Sequence, residues 1–434
     1  MAISEIRGVY LHDGFTANPP TLAPFYWDFG EWERLLRWLK ACGINTVEFA
    51  TMLEFTRIPS TELERRKTAD RQRLIASAHN CGMCFSHILT TTAVSTVPAG
   101  ENPSHQLNDR ARVLCPREPG NFERTMEIQS YFMEAMREAD FFEVFAADWG
   151  GCGCGRCGTE DYLRYVIELA RRAAALNPRA VVFANTWAIA QWGSAIPAGD
   201  WRLFWDRETA QSREVIGALP SLPPNVHPAL PCHHLYRPLV FESYGGKTAT
   251  PPFPSAADMG GARAASRDVL AWPHFLMDDD VYRPEAWGIA HCEARYLALL
   301  AGDLRALGIR NVMGNLYLPS LQIVNTWVFG RLLADASRDP MDLLHEFSAH
   351  IACPGDIDAL ADVLAWMDNN SWWNSQTPQN SRPAALPTRA TRAMARRQAD
   401  AVRPRRELSI PLPIDPAQWL DHLRHSIARM NWAP

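Results

Sequence analysis

The chain has 434 residues, with 43 Lys and Arg against 48 Asp and Glu, and a net charge of −5. Hydrophobic residues make up 47% and charged residues 21%, an ordinary globular composition. With no basic excess and no run of about 18 apolar residues, nucleic acid and membrane partners are both set aside. Length alone allows roughly two to three domains, or one large α/β barrel with attachments. The start, Met1 to Arg7, lacks a basic region and an apolar stretch, so no signal peptide is expected. Ten Cys in a chain this long do not form a secreted disulfide framework, and a reducing cytoplasm is the expected compartment. Sixteen Trp and 32 Pro suit structured loops around a cleft for flat, partly polar rings such as sugars.

From the N-terminus, short apolar runs alternate with amphipathic stretches, the pattern of βαβ units and a parallel sheet. Residues 8–13 read as a first strand. Over 29–42 apolar residues recur at helical spacing (Trp32, Leu35, Leu36, Trp38, Leu39), and Gly43 is a good stop. A second strand is predicted at 45–49, a helix at 70–80 closed by Gly82, and a third strand at 84–88. A long loop, 90–119, leads to a helix at 122–138 and a fourth strand at 141–147. A helix at 160–176, ended by Asn177-Pro178, precedes a fifth strand at 180–184.

The second half is less regular. Residues 201–205 alternate as an extra strand would. A sixth strand is placed near 225–230, a seventh at 239–242, a helix at 284–307 stopped by Gly308, and an eighth strand at 310–315. Eight strands, each followed by helical or loop material, is the count of a (β/α)8 TIM barrel with enlarged βα loops. Helices at 321–334, 341–351 and 356–368 follow. Residues 1–350 are therefore assigned to the barrel and 351–434 to a C-terminal helical extension, with a Pro-rich linker at 377–387. The arginines of the extension (Arg389, Arg392, Arg396, Arg397, Arg403, Arg405, Arg406) have no interleaved aromatics and read as a solvated helix face.

In such a barrel the strand interiors are packed, and chemistry sits where strands end. The predicted ends carry Asp13, Glu48, His87, Asp148, Asn185 with Trp187, Glu242, and Asn315 with Tyr317. A purely structural barrel would not need this ring, because buried polar groups cost free energy unless satisfied. Breaking a glycosidic bond needs one carboxyl group to protonate the leaving oxygen and a second carboxylate as nucleophile or base. Asp148, after the fourth strand, is assigned as the acid, and Glu242, after the predicted seventh strand across the mouth, as nucleophile or base. Asp13, Glu48, His87, Asn185, Asn315 and Tyr317 would position hydroxyls, and Trp149, Trp187 and Trp192 would offer stacking faces. No Walker loop, Gly-x-Gly-x-x-Gly or Gly-x-Ser-x-Gly elbow occurs, which removes the common nucleotide and serine-hydrolase readings.

The run Asp148-Trp-Gly-Gly-Cys-Gly-Cys-Gly-Arg-Cys157 resembles the Asp-x-Gly-Gly-Cys-x-Cys-x-x-Cys loop after strand four of many (β/α)8 glycoside hydrolases. These lie around the α-glucuronidase, β-hexosaminidase and α-N-acetylglucosaminidase groups and their uncharacterised relatives. Residues 29–45 look like their first helix and second strand, and 325–340 like their closing helix; 114–116 and 241–246 are also similar. In patches the resemblance covers residues 5 to 350. It implies a carbohydrate-active barrel with an oligosaccharide substrate. The hexosaminidase pattern has Asp-Glu after strand four, with the Glu as general acid, and the retaining 4/7 superfamily has Asn-Glu. Here Asp148-Trp149 stands there, so Asp148 must take the acid role, or the site has changed its chemistry, or catalysis is lost.

Cys152, Cys154 and Cys157 are spaced to converge on one metal ion, and Cys115, on the preceding βα loop, could be a fourth ligand. Four thiolates would make a closed structural zinc site, and catalysis itself is expected to need no cofactor. The other six (Cys42, Cys81, Cys84, Cys232, Cys292, Cys353) read as small buried hydrophobes. Asp278-Asp279-Asp280 with His274 could hold a divalent cation, but reads better as the cap of a helix beginning near Pro284. His233-His234 lack metal-ligand spacing. Two other functions fit the same ends: a non-catalytic carbohydrate-binding barrel, and a metal-dependent sugar isomerase or epimerase using Glu48, His87, Asp148 and Glu242 around one ion.

Overall fold

The computed structural model describes residues 5–12, 27–50, 57–91, 94–95, 106–108, 111–146, 151–197, 200–232, 256–265, 267–273, 292–316, 318–370 and 389–429. Eight parallel strands close a TIM barrel in chain order. They are β1 (Arg7–His12), β2 (Thr46–Ala50), β3 (Cys84–Thr90), β4 (Phe141–Phe145), β5 (Val181–Asn185), β6 (Val226–Pro231), β7 (Leu270–Trp272) and β8 (Asn311–Leu316). Closure falls on β1, where Tyr10 stands opposite Glu48 of β2 on one side and Asn315 of β8 on the other.

The helices in the barrel portion are α1 (Phe29–Cys42), α2 (Glu62–Asn80), α3 (Asn121–Ala135), α4 (Thr159–Leu176), α5 (Trp201–Ala218), α6 (Ala256–Ala264), α7 (Ala294–Ala306) and α8 (Ile323–Ala334). The first of them shows how the sequence sets the boundaries. Asp28 and Glu31 form a reciprocal capping box, with Glu31 N donating to Asp28 Oδ1 at 2.9 Å and Asp28 N to Glu31 Oε2 at 2.7 Å. Gly43 ends the helix at φ 95°, a left-handed conformation that a side chain would strain. The buried stripe Trp32, Leu35, Leu36, Trp38, Leu39 and Cys42 faces inward. It meets α8 closely, since a Cβ on Gly330 would lie 2.4 Å from the Cys42 carbonyl oxygen.

The expectations for the second half need two corrections. The seventh barrel strand is Leu270–Trp272 rather than 239–242, and residues 239–242 lie outside the described residues, in the connection between β6 and β7. Residues 201–205 open helix α5 instead of forming a strand. Phe204, Glu208, Ser212, Val215 and Leu219 are all buried, a helical spacing that overrides the local alternation. In addition, the long loop after β3 carries a small antiparallel sheet of Val94–Ser95, Gln106–Asn108 and Ala111–Val113. The predicted helix at 284–307 is seen from Ala294 onward, and Asp278–Asp280, His274, His233 and His234 lie outside the described residues.

Apolar side chains sort by strand parity into two compartments. Inside the barrel lie Ile6, Tyr10, Ala50, Ile88, Phe141, Phe145, Phe183, Ala229, Leu270, Trp272 and Met313. The larger compartment separates strands from helices and runs on into the C-terminal helices α9 (Pro340–Ile351), α10 (Ile357–Asn370), α11 (Arg389–Ala401) and α12 (Pro416–Arg429). Trp419 of α12 packs edge-on against Phe347 of α9 with centroids 5.5 Å apart. Of the arginine run, Arg396 and Arg397 are exposed, whereas Arg403 grips Asp356 through two bonds of 2.8 and 3.2 Å and Arg405 donates to the Ala349 carbonyl at 2.8 Å. No helix among the described residues is long and apolar enough to cross a membrane.

Candidate active site

Each barrel strand sends alternate residues inward, and five strands use such a position for a buried polar group. Glu48, Ser86, Glu143, Asn185 and Asn315 are all buried and share the parity of interior apolar residues such as Ala50, Ile88, Phe145, Phe183 and Met313. The first four form one network, and Asn315 stands beside it across β1, opposite Tyr10. Ser86 Oγ donates to Glu48 Oε1 at 2.7 Å, and Asn185 Nδ2 donates to Glu143 Oε1 at 2.7 Å. The Glu48 and Glu143 carboxyls lie close enough to influence each other, so a proton held by one could be donated to the other, and the Trp272 indole lies close to Glu48.

Burial dominates the electrostatics of this pair. It pushes the Glu48 carboxyl from 4.5 to about 7, against the pull of Ser86, Glu143 and Trp272. Burial and then the neighbouring charge of Glu48 push Glu143 well above the usual carboxylate range. The pair therefore keeps at least one proton at neutral pH. A neutral carboxyl can donate a hydrogen bond where a carboxylate can only accept.

The network reaches the rim through β5. Asn185 Oδ1 accepts from Trp187 N at 2.7 Å, which turns the chain out of the strand and leaves Trp187 half-buried beside the interior cluster. Tyr162 of α4 holds the ends of β4 and β5 together, its hydroxyl lying 3.0 Å from the Val144 carbonyl and 2.7 Å from the Asn185 carbonyl. The next turn is strained. Ala188 sits at φ 60°, and it is held by Glu208 of α5, whose two oxygens accept from Ala188 N and Ala190 N, both at 2.8 Å.

Of the residues expected from the sequence, Glu48, Asn185 and Trp187 come together in this way, and Asn315 is a buried inward residue of β8. His87 does not. Its neighbours Ser86 and Ile88 point inward, so His87 points outward, 6.3 Å from the Phe132 ring of α3 and close enough to Arg71 of α2 to feel its charge. Trp192 is likewise buried among Tyr162 and Tyr165 rather than displayed as a stacking face. With His87 turned away, the ligand set of an isomerase is not assembled around Glu48. Asp13, Asp148, Trp149, Glu242 and Tyr317 lie outside the described residues. Asp148 follows β4 by three residues in the chain, and Glu242 belongs to the connection after β6 instead of ending β7.

Glu143, Ser86 and Trp272 are not among the residues expected from the sequence. The signal for Glu143 was present: a carboxylate inside the run Phe-Phe-Glu-Val-Phe, on the same face as Phe141 and Phe145. Burying an acid there is costly without partners on adjacent strands.

Four cysteines form a second cluster, among the βα loops. The Sγ atoms of Cys115, Cys152, Cys154 and Cys157 all lie within 4.8 Å of one another, the one such group of His, Cys, Asp and Glu among the described residues. Cys157 is 3.5 Å from both Cys152 and Cys154 and 3.7 Å from Cys115, and Cys115 is 3.8 Å from Cys154. Arg117, two residues past Cys115, binds Asp161 in the first turn of α4 at 2.9 and 3.2 Å.

In fold the chain is similar to glycoside hydrolases. An O-GlcNAc hydrolase of Thermobaculum terrenum superposes with a TM-score of 0.53 at 12% identity, over 98% of this chain and 83% of that one. A GH138 enzyme targeting pectin rhamnogalacturonan II gives a TM-score of 0.53 at 9% identity, over 84% of this chain and 53% of that one, so the chain spans about half that enzyme's length. At such identities the likeness is one of fold. No protein-family model and no curated protein matches the chain.

Proposed function

We propose that this protein is a glycoside hydrolase acting on an oligosaccharide, with Asp148 as general acid and Glu242 as nucleophile or base. The observation that carries the reading is the polar network inside the barrel, Glu48–Glu143–Asn185, rising to Trp187 at the C-terminal end of β5. A barrel holding such a network in an otherwise apolar interior bears its desolvation cost for a purpose at the mouth. Neutral carboxyl and amide groups suit sugar hydroxyls, and an indole face suits a pyranose ring. The shared barrel of the O-GlcNAc hydrolase and the pectin-targeting enzyme is in keeping with a glycan substrate carrying N-acetylated or acidic sugars. Asp148 follows β4 by three residues in the chain, the position in such a barrel from which a side chain could serve the mouth. Glu242 belongs in the chain to the connection between β6 and β7. A reducing, cytoplasmic setting goes with this reading, since ten free thiols would be at risk elsewhere.

The test is to assay Asp148→Asn and Glu242→Gln against a panel of aryl glycosides. Each variant should lose about 100-fold or more in kcat/KM. Activity unchanged in both would remove the assignment. The non-catalytic alternative is favoured by Trp149 standing where a general-acid Glu is found in the hexosaminidase pattern. It predicts sugar binding with no turnover by the unaltered protein.

A further inference from the structure

We propose that Cys115, Cys152, Cys154 and Cys157 hold one zinc ion that ties together the loops following β3, β4 and β5. A tetrahedral ion about 2.3 Å from each of four thiolates sets the sulfurs about 3.8 Å apart. The observed separations of 3.5, 3.5, 3.7 and 3.8 Å form such a cage before any ion is added. An iron–sulfur cluster would need the thiolates to surround several atoms, and a group that fits within 4.8 Å leaves room for a single ion. A disulfide would pair one sulfur with one partner at about 2.05 Å, whereas Cys157 stands nearly equidistant from three.

The backbone is arranged for thiolates. At Cys154 the amide two residues further on, Arg156 N, donates to the sulfur at 3.3 Å, and the Arg117 and Cys154 amides stand in the same sequence relation near the sulfurs of Cys115 and Cys152. Such N–H groups offset the negative charge that four thiolates leave around a divalent cation. The turns depend on glycine. Gly153 and Gly155 have φ of 63° and 74°, and a Cβ on Gly153 would press on Ala195 Cα at 3.2 Å.

The consequence is a staple. Cys115 belongs to the β3–α3 connection and the other three to β4–α4. Gly155 N donates to Gly193 O at 2.8 Å and Ala195 N to Gly153 O at 2.9 Å, which brings in the β5–α5 connection that carries Trp187. With four protein ligands the ion has no open position, so its role is structural. This assignment does not depend on the glycosidase reading.

The full-length protein, purified from zinc-supplemented cells without chelator, should contain one equivalent of zinc by elemental analysis. Cys154→Ser combined with Cys157→Ser should bring it to background. After chelation, cobalt(II) should restore the intense visible bands of a tetrahedral thiolate site. Thiol titration of the unaltered protein needs no variant to fold: beyond the buried Cys42, Cys232 and Cys292, which react slowly throughout, four thiols should become reactive only when chelator is added. Zinc-free protein whose thiol reactivity chelator leaves unchanged, undiminished zinc in the double variant, or bound iron in place of zinc would each overturn the proposal.

Discussion

The buried Glu48–Glu143 pair makes a quantitative demand on stability. Glu48 binds its proton more tightly in the folded chain, where burial sets it at about 7, than in the unfolded chain, where it has its ordinary value of 4.5. Stability from this group is therefore complete below about pH 4.5 and is lost as the pH climbs to about 7. The rise corresponds to about 3 kcal/mol. Glu48→Gln keeps the shape and removes the titration. Its amide oxygen can still accept from Ser86, and its NH2 can donate to Glu143. Urea unfolding, followed by tryptophan fluorescence between about pH 4.5 and 8, should find the variant close to the original protein at the acid end. At the alkaline end it should be more stable by about 3 kcal/mol. Taking the difference between the two proteins cancels the shared groups that do not interact with Glu48. Parallel pH curves, or a variant that loses ground as the pH rises, would show that the two carboxyls do not hold a proton between them.

Three further outcomes follow from the packing. Tyr162→Phe removes the hydroxyl that bridges β4 and β5 and leaves a buried carbonyl unsatisfied, so urea denaturation should show a loss of about 1–2 kcal/mol. Gly330→Ala drives a methyl group to 2.4 Å from the Cys42 backbone oxygen, and α1 and α8 must part to admit it; a loss of about 1–3 kcal/mol in the same assay is expected, and an unchanged midpoint would contradict that contact. Trp187→Ala should raise KM roughly tenfold on any substrate the protein turns over, with little change in kcat, if this ring lies under a bound sugar in ground state and transition state alike.

Where the sequence spoke clearly, it spoke through burial. Strands 1 to 6 and 8 are apolar runs bounded by turn residues, and α1 announces both its ends through Asp28, Glu31 and Gly43. Strand β7 was hidden because Leu270–Trp272 is three residues long, while 239–242 offers a longer apolar run nearby. Helix α5 was obscured because Trp-Arg-Leu-Phe-Trp alternates like a strand, and because its buried stripe includes Glu208 and Ser212, which do not look like core residues in a sequence. The site shows the same division. Glu48, Asn185 and Asn315 could be picked out as polar residues within or ending strands. Facing is harder to read when both faces are covered: His87 and Ser86 are equally buried, and only the pleat decides which one sees the barrel interior.

The joint between the barrel's outer layer and the last helices bears on how the molecule opens. Arg405 N donates to Ile351 O at 2.7 Å and Cys353 N to Arg403 O at 3.0 Å, while Trp419 fills the space over Phe347. Amide deuterium uptake in α9 should therefore rise and fall with that in α12, as one cooperative unit. A protein cut after residue 351 would present Phe347 and its neighbours to water as a sticky surface, and should accumulate as inclusion bodies rather than as a smaller working barrel.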